Sequence, residues 1–230
     1  MYPLLWTNRV SKLSFDIMAP LIIIPSTDFI LCKLFGTRSR WFQLHSIINL
    51  VIVYITYNDV FNLFINPLNS IKIVDSKIDY YFILWLHIYH IFIGKLSFMD
   101  ICHHLLFVGT GIIPCILCHS SNLIRIGSFT LCGLPGAIEY GTLSLVKHNK
   151  IKSITQKRIV SYIYNYFRYP ITIYSSTLTY IAYIQGFKTN TDPRLILYVN
   201  LLLIINGSFY NKLTIENYME HKLLVKKSKQ

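Results

Sequence analysis

The chain has 230 residues, 53% hydrophobic and 14% charged, with a formal net charge of +12 and a mean hydropathy of +0.45. A soluble domain carries roughly 25% charged residues, whereas here apolar runs of about 17–25 residues, long enough to cross a bilayer, recur along the whole length. These values leave no room for a separate soluble domain and indicate one polytopic all-α membrane domain.

Residues 1–16 read as an N-terminal segment. Arg9 and Lys12 precede an apolar stretch, but Pro20 and Pro25 interrupt it and no small-x-small site follows, so a cleaved signal peptide is not expected. Seven spans are predicted, at 17–35, 44–65, 80–96, 100–118, 123–146, 159–184 and 195–211, giving a membrane domain over 17–213 and a basic tail over 214–230. Seven crossings put the termini on opposite sides. The loops then alternate in charge. One side collects Lys33, Arg38, Arg40, Lys95, the run from Lys147 to Arg158 and the lysines from Lys222 to Lys229. The other holds Arg9 and Lys12, the balanced set Lys72, Asp75, Lys77 and Asp79, then Arg125, and Lys188, Asp192 and Arg194. The positive-inside rule makes the first side cytosolic, so the charge reflects topology and not nucleic-acid binding.

Read at helical period, the spans carry polar stripes. His45, Asn49, Thr56 and Asp59 share a face of the second, and Tyr80, His87, His90 and Gly94 of the third. The fifth carries Arg125, Ser128, Cys132, Pro135, Glu139 and Thr142. The sixth carries Ser161, Asn165, Arg168, Thr172, Ser175 and Thr179. Such residues face a bundle interior or a wet cavity. At about 1.5 Å per residue, Glu139 and Arg168 lie roughly 12 and 15 Å from the cytosolic ends of adjacent helices. A Glu139–Arg168 ion pair is the expected way to avoid isolated charge. His87, His90, Asn49, Asn206, His103 and His104 fall at similar or shallower depth, which implies one polar pocket in the cytosolic half of the membrane.

In "MDICHHLLFVGTG", Ser97 to Asp100 reads as a capping box, placing His103 and His104 one turn inside the fourth span. Asp100 precedes them by three and four residues and can either cap the helix or orient an imidazole. Adjacent helical residues point about 100° apart, so one histidine faces the pocket and the other packs against a neighbour. The five cysteines, odd in number and irregularly spaced, read as small hydrophobes, Cys115-x-x-Cys118 included; no metal or cofactor is called for. Eight histidines are too few for a di-iron lipid hydroxylase, and Lys212 lies at the edge of the last span, outside the place a retinal protein needs it.

From about Arg40 to Tyr218 the chain resembles the TLC-domain family, which includes ceramide synthases and shorter non-synthase relatives. Arg40-Trp41 with Leu44-His45-Ser46 is similar to the entry of the first conserved span, and "DICHHLLF" to the double-histidine segment. "SSNLIRIGSFTL" is similar to the stretch that follows it, "LPGAIEYGTLSLVK" to the acidic segment before a cytosolic loop, and "NYFRYP" with Asn200 and Asn206 to the later spans. The resemblance implies six helices around a cavity open to the cytosol, with His103, His104 and Asp100 as catalytic candidates. His45, Asn49, His87, His90, Glu139, Arg168 and Asn206 are the expected lining of the lipid cavity. Ceramide synthases carry a His-Asp pair and a further Asp where this chain reads Thr130 to Ile138 without charge, so it looks closer to the non-synthase members.

The expected function is lipid handling in an endoplasmic reticulum or related endomembrane, with membrane lipid as partner. An alternative is acyl-CoA-dependent acyl transfer of ceramide-synthase type. In it one histidine is the general base, the other stabilises the oxyanion, and the Lys147–Arg158 segment meets CoA phosphates. A trafficking adaptor with the lysine-rich tail Lys226 to Gln230 is a third reading. Tags at the two termini, probed in selectively permeabilised cells, are expected on opposite membrane faces with the C-terminal tag cytosolic. A protected C-terminal tag would count against seven crossings.

Overall fold

A computed structural model describes residues 3–67, 76–117, 122–186 and 192–227, with side chains from Lys12 onward in the first stretch and from Ile124 onward in the third. Lys72, Asp75, Cys118, Ser120, Ser121, Lys188 and Lys229 lie outside them, as does the side chain of Arg9. The described residues form helices and no strands. They are α1 (Pro3–Phe35), α2 (Arg40–Ile65), α3 (Ile78–Ile93), α4 (Phe98–Leu117), α5 (122–147), α6 (153–184) and α7 (Pro193–Lys227). Four are long and apolar enough to cross a membrane: Lys12–Phe35, Arg40–Ile65, Phe98–Leu117 and Pro193–Lys227. Large apolar side chains cover the outer surface, as Phe92 (80% exposed) and Leu117 (78% exposed) show. Continuous apolar exposure of this kind suits lipid and not water.

Local chemistry sets the helix ends. Ser97 and Asp100 form the expected capping box at α4: the Asp100 N–H donates to Ser97 Oγ at 3.2 Å, and Asp100 Oδ2 accepts from the Ser97 N–H at 2.8 Å. Asp192 caps α7, its carboxylate accepting from the Arg194 N–H at 2.8 Å with Pro193 as the first helical residue. Hydrogen bonds from Arg194 hold the Asp192 carboxyl below the ordinary range. Several boundaries differ from expectation, among them the start of α6 at Ser153, ahead of the expected 159, and those of α1 and α7. α1 begins far ahead of residue 17 and runs through Pro20 and Pro25. α7 continues through the basic tail to Lys227, because nothing between Asn211 and Lys227 breaks a helix and Lys212 pairs with Glu216 one turn on at 3.7 Å.

α2 is the central helix. It packs on α1 and α3 on one side and along α5 on the other. Ile24, Leu44, Ile48, Ile52, Phe82 and Leu86 fill the α1–α2–α3 junction; Val60, Leu63, Ile126 and Ala182 fill the α2–α5–α6 junction. Close approach at α5 depends on Gly136, where a Cβ would lie 2.4 Å from Asn49 Nδ2.

Buried ions tie the helices at both ends. Asp28 of α1, 2% exposed, accepts both Arg40 Nε (2.9 Å) and the Tyr89 hydroxyl (2.8 Å), with Arg40 Nη2 as a further donor. At the other end Asp16 accepts from the Ser76 hydroxyl at 3.0 Å and the Lys77 N–H at 2.9 Å. There too Arg125 is buried, and not the loop charge the topology assigned it. It lies 2.7 Å from Asp59 and 3.4 Å from Asp79, linking α5 to α2 and α3. Arg125→Ala strands two carboxylates and is expected to cost about 3–5 kcal/mol. Asp59→Asn, at a carboxylate 25% exposed, should cost about 1 kcal/mol or less. Thermal unfolding in detergent micelles checks the order, and equal losses would show that Asp79 is not the main partner.

Candidate functional site

Three helices are locally wider than an α-helix, and all three line one cavity. The Ile113 N–H bonds to the Val108 carbonyl, Leu134 to Phe129 and Tyr169 to Tyr164, each five residues back. The π-helical stretches are His104–Ile112, Ser128–Gly133 and Tyr164–Arg168. In every case proline is the second residue after the stretch: Pro114, Pro135 and Pro170. Proline has no N–H, and in an α-helix its ring meets the carbonyl four residues back. Widening relieves that clash, and π-bulges gather at functional sites. Threonine hydroxyls take up nearby carbonyls: Thr110 bonds Leu106 O at 2.6 Å, Thr130 bonds Ile126 O at 2.8 Å and Thr172 bonds Arg168 O at 2.8 Å.

Two cavities adjoin here and share part of their lining. A vestibule lies on the side of the bundle that holds Arg40 and Asp100. Its wall includes His45, Asn49, His87, His103, Glu139 and Arg168, with Tyr140, Tyr164 and Tyr210. The second, the arm, lies between α3, α4, α5 and α7. Phe107, Val108, Gly111, Ile112, Leu202 and Leu203 make its wall apolar. Along α4 the lining runs from His103 to Cys115, a length of about 18 Å at helical rise. His87, His103, Leu131, Cys132 and Arg168 border both cavities.

The adjacent histidines separate as their helical offset requires. His103 borders both cavities, and its Nδ1 lies 3.2 Å from the Tyr210 hydroxyl. His104 turns to α3, its ring 4.9 Å from that of His87 and 5.5 Å from that of His90. The His87 Nδ1–H donates to the Ile83 carbonyl at 2.7 Å, which directs Nε2 away from its own helix. Asn49 Nδ2 lies 2.9 Å from His45 Nδ1. Close as these rings are, no group of three His, Cys, Asp or Glu side chains among the described residues is arranged to hold a metal. Cys32, Cys102 and Cys132 form no disulfide.

Three expectations are corrected. The Glu139–Arg168 ion pair does not form. Tyr164 comes between them: its hydroxyl donates to Glu139 Oε2 and its ring lies 4.4 Å from the guanidinium carbon of Arg168. Depth follows from helical rise, but the widened turn at Tyr164–Arg168 shifts azimuth, which no α-helical projection includes. Asp100 serves as the cap: its Oδ2 accepts from the Ser97 N–H and hydroxyl, and no hydrogen bond from it to a histidine is present among the described residues. His90 does not line the cavity; it stacks on Trp41, with ring centroids 3.6 Å apart and planes at 8°. Asn206 lies where expected, bonded to Arg168 Nη2 at 2.5 Å. Sequence reading missed Tyr140, Tyr164 and Tyr210 as cavity residues. The signal for Tyr164 was its place one turn before Arg168.

Comparison with protein families, with curated proteins and with solved structures finds no match. The geometry therefore carries the functional reading. A double-mutant cycle tests its polar wall. Glu139→Gln with Tyr164→Phe should show coupling of about 0.5–3 kcal/mol, as touching groups do, and Glu139→Gln with Arg168→Gln should be additive within about 0.5 kcal/mol. Detergent unfolding of the wild type, the three single and the two double forms provides the measurement.

Proposed function

We propose that this chain is a TLC-like membrane protein that holds a lipid, with the polar head in the vestibule and an acyl chain in the apolar arm. One observation carries the reading: a polar-walled cavity and an apolar-walled cavity lie side by side and share His87, His103 and Arg168 in their walls. An amphiphile needs that order of surfaces, and a soluble metabolite has no use for an arm walled by Phe107, Leu202 and Leu203. The reading includes seven crossings, a cytosolic C-terminus and an endoplasmic reticulum or related endomembrane location. Helices α3, α5 and α6 would then cross as part of a bundle that shields Asp79, Arg125, Glu139 and Arg168 from lipid.

Gly111 offers a direct test. It is buried in the arm wall, and a Cβ there would lie 3.7 Å from Leu202 Cδ1, an ordinary contact. Gly111→Ile should therefore fold yet fill the arm. Mass spectrometry of lipid extracted from purified protein should show occupancy reduced about tenfold or more relative to wild type. Unchanged lipid content would count against the arm as a chain site.

A second reading, acyl transfer from acyl-CoA, is favoured by the position of His103 at the junction of head and tail, where the carbonyl of a chain lying in the arm would sit. His103 would take the proton of an amine or hydroxyl as its nitrogen or oxygen bonds to the thioester carbon. The C–S bond then breaks and CoA leaves as the thiol. Lys147, Lys150 and Lys152 are exposed on the vestibule side and suit CoA phosphates. Protein incubated with acyl-CoA and amine acceptors should release free CoA, and His103→Ala should abolish release while keeping co-purified lipid. No release across a broad acceptor panel leaves lipid holding as the function.

A further inference from the structure

We infer that the occupant is a single-chain amphiphile with an anionic head, a carboxylate or a phosphate, whose charge is received by Arg168. This rests on the lipid-holding reading and specifies its ligand. Arg168 is 4% exposed and borders both cavities. Among the described residues no carboxylate lies within ion-pair distance of it. Only Nη2 has a hydrogen-bond partner, the neutral Asn206 amide; Nε and Nη1 are buried and unpartnered.

Two other buried charge clusters among the described residues hold opposite charges within ion-pair distance, although Arg125 Nε and the Asp79 oxygens make no hydrogen bond. Asp28 has Arg40, and Arg125 has Asp59 and Asp79. Both carboxylates that share the vestibule with Arg168 are engaged elsewhere: Glu139 accepts from Tyr164, and Asp100 accepts from Ser97. What surrounds the guanidinium is the Tyr164 ring at 4.4 Å, the Tyr210 ring at 5.4 Å and the cavity itself. Aromatic faces stabilise a cation in part, but they leave its N–H donors without acceptors. A guanidinium presents paired N–H groups that match the two oxygens of a carboxylate or phosphate. An anion at the inner end of the vestibule would meet those donors, and the arm that begins beside Arg168 accepts one chain from the same point. The cation thus fixes the sign of the head, and the single arm fixes the number of tails.

Binding of three probes that share an oleoyl or oleyl chain, followed in dodecyl maltoside by thermal shift and titration, tests this. They are oleate, 1-oleoyl-lysophosphatidate and the uncharged oleyl alcohol. The better of the two anions should bind about tenfold or more tighter than the alcohol, and which anion leads distinguishes carboxylate from phosphate. Arg168→Gln should bring that ratio to about one by weakening the anion and not the alcohol. Asn206→Asp, nearly isosteric, supplies an internal counter-ion and should do the same with the arginine still present; should the Arg168 variant not fold, this form carries the test. Equal binding of alcohol and anions to wild type would overturn the inference while leaving the lipid-holding reading intact. Anion preference that survives in a folded variant would also overturn it. Binding of no probe, alcohol included, would reject the lipid-holding reading and this inference with it.

Discussion

A helix in hydrocarbon has to satisfy its own backbone, and Pro114, Pro135 and Pro170 each remove one donor from a helix of this bundle. The response is the same three times: the turn before the proline widens to bonds spanning five residues. A widened turn is broader and displaces the side chains on it. Because the three stretches sit on α4, α5 and α6 and face one another across the interior, the displacement opens space where a regular bundle would close. Phe107, Val108, Leu131, Cys132 and Arg168 all reach the cavity from these turns. Pro20 and Pro25 leave α1 α-helical, and α1 contributes nothing to this cavity.

The buried charges divide by what surrounds them. Association of helices in lipid lacks the hydrophobic driving force available in water, so polar contacts carry more of the specificity. Asp28 with Arg40 and Tyr89 joins α1, α2 and α3 at one end; Arg125 with Asp59 and Asp79 joins α2, α3 and α5 at the other. These clusters are closed by protein partners. Glu139 and Arg168 have no such closure with each other: Tyr164 bonds the acid and stacks beneath the base, keeping two opposite charges on one cavity. An ion pair there would neutralise the cavity wall; the intervening ring keeps the two charges apart.

The histidines show how position along a helix converts into role. His103 and His104 are neighbours in sequence, and the 100° step between them puts one beside Tyr210 on the cavity and the other among the rings of α3. His90 lies three residues from His87 on α3, yet packs flat on Trp41 of α2 while His87 borders the cavity. An imidazole is large and flat enough that the nearest aromatic surface decides its orientation, and that surface belongs to another helix.

Hydropathy, capping chemistry and helical period are local, so the sequence by itself determined a helical membrane chain, the capping box at Ser97–Asp100 and the inward polar faces that hold His45, Asn49, His87, Arg168 and Asn206. It also contained the three proline positions, although their common effect needs the backbone to be seen. Pairings were decided only by the tertiary structure. Whether Arg125 is a loop charge or a buried lock depends on Asp59 and Asp79 arriving from α2 and α3. Whether Glu139 meets Arg168 or Tyr164 depends on a turn whose five-residue bonds shift azimuth without changing depth. Helical rise accumulates predictably along one chain segment, whereas the angle at which a side chain meets its neighbour is fixed jointly by two helices, and no single segment encodes it.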